Sequence, residues 1–195
     1  GEPMLQPMQN QRLDELRARL EQAGCVFDFV VATLDPTATP GEAEHRLVLR
    51  MLFENIQERA RTWQQKLIAQ DARYAKHRWP ELTADLDQAR PQPLTADAVR
   101  ELASEDGLLC RNFRDPPYGS PLQVVDFREW LQVLRLYPDE GMQVLDWVGD
   151  GSAEPQRSTW SSYFDDGKEW WGIWCLTLYN PRRRTLSALA ASATD

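Results

Sequence analysis

Histidine is almost missing from this sequence, glycine is sparse and cysteine comes in an odd number, and each shortage removes a class of chemistry. The two histidines are His45 and His77. Carried on one continuous helix they would stand about 48 Å apart, so they could not share a site, and each reads as a partly exposed helix-surface residue. Neither an HExxH pair nor a paired CxxC occurs, which leaves no zinc signature. Ten glycines are scattered without a GxGxxG or GxxxxGK[ST] run, so no phosphate cradle is written in the chain. A GxSxG elbow is missing as well.

The three cysteines, Cys25, Cys110 and Cys175, lie in or beside apolar runs. They read as reduced, packed thiols of a reducing, cytoplasmic compartment. Cys110 alone has basic neighbours, Arg111 and Arg114, but no histidine or asparagine announces itself as its base. No apolar run is long enough for a membrane span, and no basic segment leads into an apolar one as in a secretory leader.

What is present is an ordinary globular composition with an acidic balance. Thirty acidic against 22 basic side chains give a formal charge of −8. That field repels nucleic-acid phosphates and anionic membranes and suits a protein partner with a basic surface. At 195 residues the chain reads as one domain. Residues 1–7 are expected to be a disordered or tag-derived end.

Along the chain, Leu13, Leu16 and Leu20 mark an amphipathic helix over 12–22, stopped by Gly24. The β-branched and aromatic run 25–33 reads as a strand. Residues 42–76 contain neither glycine nor proline. Leu49, Leu52, Ile56, Trp63 and Leu67 recur there at helical spacing, which predicts one long helix or two in close succession. Trp79-Pro80 should break it, with short helices following over 81–89 and 96–104, the second capped by Thr95. Residues 115–121 are an internal loop between a helix-rich half and a strand-rich half. Beyond it the pattern predicts a short strand over 122–127, a helix over 127–136, a strand over 142–148 and a hairpin of 170–179 with 185–191. The expected fold is therefore α+β: helices of the first half packed on a mainly antiparallel sheet drawn largely from the second.

The candidate functional residues cluster late in the chain. Six of the eight tryptophans lie at or after Trp130, and strand alternation would set Trp174 and Trp171 on opposite faces. A strand this apolar on both faces is central and buried, or it exposes an aromatic platform. Asp165, Asp166 and Glu169 form an acidic turn just before it, and Arg182 and Arg183 belong to a basic turn at its far end. The run 146–151 resembles a calcium loop but fails as one, since Val148 stands where an oxygen ligand is needed and Arg157 where the bidentate glutamate belongs. Trp160, Tyr163, Trp170, Asp165, Asp166, Glu169, Arg182 and Arg183 are thus the expected partner-binding set, with no catalytic residue, cofactor or metal. The functional expectation is a non-catalytic cytosolic binding module, for example an immunity protein that neutralises a basic toxin by occlusion. Two alternatives stand beside it. One is an enzyme with a site assembled from dispersed acidic residues, Arg111 or Arg114, and the aromatic wall. The other is a structural subunit or adaptor of a larger assembly.

Overall fold

The computed structural model describes residues 5–77, 81–117, 119–167 and 171–193. Asn10 starts α1 (Gln11–Gln22) by accepting the Leu13 amide on its side chain, and Gly24, at φ +78°, ends it. The three predicted leucines of α1 are buried. Strand β2 (Asp28–Leu34) follows, and then the 29-residue α2 (Glu42–Gln70), which passes into a 3₁₀ segment, Ala72–Lys76. Residues 81–89 form no α-helix. Ala84 bridges Ser161 in extended geometry, and one 3₁₀ turn, Leu86–Gln88, follows. Thr95 caps α3 (Ala96–Ala103) as expected, accepting from the Ala98 amide. A helix not foreseen, α4 (Leu108–Arg114), follows at once. The strand expected over 122–127 is instead the first half of α5 (Val124–Leu134), where the Asp126 carboxylate accepts the Gln123 amide. The Trp79-Pro80 break falls outside the described residues.

The sheet has six antiparallel strands in the order β1-β2-β6-β5-β4-β3. Its centre is the predicted hairpin, β5 (Gly172–Asn180) with β6 (Thr185–Ala193). The flanks are β4 (Gln143–Asp146), the two-residue β3 (Gln92–Pro93), β2, and β1 (Leu5–Pro7). Leu5–Pro7 is therefore ordered strand and not a disordered end: Leu5 is buried against the α2 side, which fixes the segment on β2.

Both faces of the sheet are covered, so the chain has three layers. On one face α1, α3, α4 and α5 pack on Phe29, Val31, Leu176, Leu178 and Leu189, with Trp130 stacked on Phe113 at 4.6 Å between ring centres. On the other, α2 lies over Ala32, Ala188 and Ala190. Those small side chains let the helix approach closely. Each large side chain taken fully out of water contributes about 1.5–3 kcal/mol, and two such cores hold the central hairpin from above and below. The tryptophan strand is thus central and mostly buried on both sides.

The α2 stripe does not run as far as its sequence pattern. Its buried residues end at Ile56, and Trp63 is 59% exposed. The reason is geometric: Arg59 already reaches Asp28, the first residue of β2, and beyond that point no strand lies beneath the helix.

Candidate functional site: an acidic, aromatic cleft at the start of the central strand

In the register of the sheet, Asp146 at the end of β4 lies opposite Leu176, so β5 begins four residues before that ladder ends. A final hydrogen bond, Trp147 amide to Cys175 carbonyl, closes the pairing, and the chain then turns away. The turn is built by Asp146, whose carboxylate accepts the amides of Val148 and Gly149. Gly149 has φ +66°, and a Cβ there would collide with the Arg157 and Glu154 side chains. Arg157 fastens the loop by donating to the Asp146 carbonyl at 2.7 Å. The first residues of β5 are left facing a cleft of about 390 Å³.

The cleft's aromatic wall depends on one backbone angle. Gly172 sits at φ +116°, a conformation that residues with a side chain rarely adopt, and this interrupts strand alternation at the edge of β5. Trp171 and Trp174 consequently share one face, both packed on Phe27, at 5.6 and 6.5 Å between ring centres. The expectation that they would point oppositely fails for this reason. Trp171 is held further by its indole N–H, which donates to the Asp115 carbonyl. Both tryptophans are partly buried, and Leu108, which also lines the cleft, is 48% exposed.

Two carboxylates line the cleft, Asp146 and Asp150, and no basic side chain appears among its described lining residues. The Asp150 carboxyl accepts the Ser152 and Ala153 amides, which hold its pKa below the usual carboxylate range and keep it ionised. Cys175 lies at the bottom with its thiol pushed well up by burial, so it is a packed thiol and not a nucleophile. The arrangement offers negative charge and flat apolar surface to a cationic, amphipathic segment.

Elsewhere the expected residues separate. Trp160 is in the core, its indole donating to the Trp147 carbonyl. Tyr163 donates to Asp28, which also pairs with Arg59 at 2.7 Å. Asp165 and Asp166 are exposed on the turn after Tyr163. Arg182 and Arg183 are at the β5–β6 turn, a strand of nine residues away, or roughly 27 Å. Arg183 pairs with Glu140 and lies over Tyr137, while Arg184 donates to the carbonyls of Asp35 and Ala38 and to the Tyr179 hydroxyl. Glu169 and Trp170 lie outside the described residues. The acidic and basic turns therefore do not converge. Cys110 is buried, and desolvation raises its thiol despite Arg114 nearby.

His45 departs from its expected exposed position. It is 1% exposed, with Nδ1 2.7 Å from the Thr177 hydroxyl, because the first turns of α2 press on β5. Burial lowers its pKa to about 4. Among the described residues no cluster of His, Cys, Asp and Glu could hold a metal ion.

A second cleft, of about 320 Å³, opens where β1 stops pairing with β2. Arg17 and Arg59 line it together with Asp14 and Glu58. Arg17 crosses the open edge of β2, donating to the Phe29 carbonyl at 2.9 Å while its guanidinium lies 4.2 Å from that ring's centre.

No family model and no curated protein matches the sequence. Two crystal structures of citrus MAF1 align with it, in space groups C 2 2 21 and P 31 2 1. The alignments cover 92% and 94% of this chain and 97% and 96% of theirs, each at 11% identity and a TM-score of 0.36. A likeness at that level carries no argument about function. No described helix is long and apolar enough to cross a membrane.

Proposed function

We propose that this chain is a non-catalytic binding protein that takes a basic segment of a protein partner into the acidic, aromatic cleft at the start of β5. An immunity-type antidote, neutralising a basic protein by covering its working surface, is the specific form of this reading; it places the protein in the cytoplasm. The observation that carries it is the cleft wall itself: Trp171 and Trp174 set side by side on Phe27, with Asp146 and Asp150 beside them and no basic lining residue among those described. Aromatic rings already fixed by packing lose little freedom on binding, and the exposed, ionised Asp150 carboxylate steers a cationic partner.

The test uses the protein as bait in source-cell lysate beside two cleft variants, Asp150→Lys and Leu108→Lys. A basic protein retained in stoichiometric amount, released by salt and lost with both variants, supports the reading. Equal retention by all three baits sinks it. An enzymatic alternative draws on a different place, the cleft of Arg17 and Arg59 beside the Asp28–Tyr163 pair. A metabolite that raises the melting temperature of the protein, but not of Arg17→Ala, would favour that alternative.

A further inference from the structure

After Ile56, α2 continues for another 14 residues, about 21 Å, in which no residue is buried. The apolar stripe does not stop with the sheet. Ala60, Trp63 and Leu67 continue it at the fourth, seventh and eleventh positions after Ile56. Trp63, Ile68 and Tyr74 are 59%, 37% and 40% exposed. Charge is segregated here too. Between residues 59 and 77 five basic side chains stand against Asp71 alone, in a chain of net charge −8. Arg59 and Arg73 are paired with Asp28 and Asp71; Arg61, Lys66 and Lys76 are exposed, and Lys66, three residues after Trp63, is the one that lies beside the stripe on α2.

The arm and the acidic cleft lie at the same end of the sheet. Asp28, which α2 reaches through Arg59, is opposite Ala190, and Ala190 is opposite Cys175 on the floor of the cleft. They lie toward different edges, the arm on the β2 side and the cleft on the β4 side. They also lie on opposite faces, the arm with the α2 layer and the Trp171–Trp174 wall with α4, so the two-fold axis that brings each arm to the other copy's cleft runs beyond that end, perpendicular to the strands and inclined to the sheet plane. The interaction is isologous and closed, so it ends at a dimer.

We infer that the occupant of the cleft in the isolated protein is the basic arm of a second copy of this chain, with Trp63 against Trp171 and Trp174 and with Lys66 facing Asp146 and Asp150. This rests on the reading of the cleft given above. Self-association then competes with any basic partner, and the arm acts as a built-in occupant that the partner displaces.

Sedimentation velocity over a wide concentration range, at low and raised salt, tests it. The wild type should dimerise at low salt and dissociate as salt screens the charges. Lys66→Glu in the arm and Leu108→Lys in the cleft should each weaken the dimer by about tenfold or more, and the exposed Trp63→Ser should do the same without loss of fold. Mixing the arm variant with the cleft variant should recover part of the association, because one intact arm meets one intact cleft. A wild type that stays monomeric throughout, or a dimer indifferent to these variants, overturns the inference. So does a monomer whose arm holds DNA or anionic vesicles instead. Titration of the same samples with a lysine-rich peptide separates the two levels: peptide quenching of tryptophan fluorescence in a monomeric protein leaves the cleft standing and removes the second copy, while neither signal removes both.

Discussion

The Trp147 indole nitrogen and the Nδ1 of His45 converge on one atom, the Thr177 hydroxyl oxygen, at 2.9 and 2.7 Å. Trp147 donates to that oxygen, and the hydroxyl proton is left for His45, which suits a neutral ring. Protonating the imidazole would place a charge in the α2 core with no carboxylate in contact among the described residues. Its pKa in the fold is about 4, against an ordinary value of 6.5. The unfolded chain therefore takes up the proton first as the pH falls. Stability is complete above about 6.5, declines between there and about 4, and loses nothing more from this group below, a total of about 3 kcal/mol. Urea unfolding across that window should show the slope in the wild type and its near disappearance in His45→Gln. Carboxyls whose pKa is lowered by amide or arginine partners, such as Asp150 and Glu140, act in a lower window: their contribution is present above the ordinary carboxyl pKa and lost below it.

Gly172→Ala should cost about 1–3 kcal/mol, through the backbone alone. A Cβ at Gly172 meets nothing within 4 Å, so crowding is not the cause; the positive φ of 116° is. If the strand relaxes to ordinary alternation, Trp171 leaves the Trp174 face. The expected signature is a red-shifted tryptophan emission together with loss of partner binding. Unchanged emission with full stability would contradict the account of the cleft wall.

How far the sequence reveals this molecule depends on whether the deciding interaction is local. Leu13, Leu16 and Leu20 announce α1, Thr95 announces α3, and the apolar run with its Asn180-Pro181 turn announces the hairpin, because spacing and capping are properties of neighbours. The strand expected over 122–127 turned out helical because one side chain, Asp126, closes on the Gln123 amide, and three-residue reciprocity is easily overlooked in a short β-branched run. The cleft was hidden for a different reason. Alternation placed Trp171 and Trp174 apart, and the signal that could have joined them is a lone glycine between aromatic residues, whose φ no pattern discloses. Trp63 looked like core because a helical stripe says which face is apolar but not where the underlying sheet ends.

Tyr163→Phe removes a donor from Asp28 without altering shape. Burial raises the Asp28 pKa, while Arg59 and the Tyr163 hydroxyl oppose that rise. Losing a hydrogen bond to a charged acceptor costs about 1.5–3 kcal/mol, toward the low end here because Arg59 remains. Thermal unfolding of the variant should show a lower midpoint at neutral pH. A variant as stable as wild type would mean that Asp28 is neutral in the fold.

The thiols should be inert in the native state and accessible only on unfolding. Cys110 and Cys175 are buried, and burial pushes the half-buried Cys25 up to about 11. A disulfide-exchange reagent at neutral pH should label none of them rapidly, and all three in denaturant. Fast labelling of Cys110 in the folded protein would revive it as a nucleophile.

Arg17 has a consequence for the behaviour of the protein at high concentration. Strand β2 carries the run Phe29-Val30-Val31-Ala32, the kind of uncharged, β-prone segment that recruits copies of itself into cross-β stacks. One flank is sealed by β6 and part of the other by the short β1. At the remaining position a guanidinium takes the Phe29 carbonyl that an incoming strand would need. A single cation therefore does the work of a missing strand, and a variant without it should be the first to form fibres on storage.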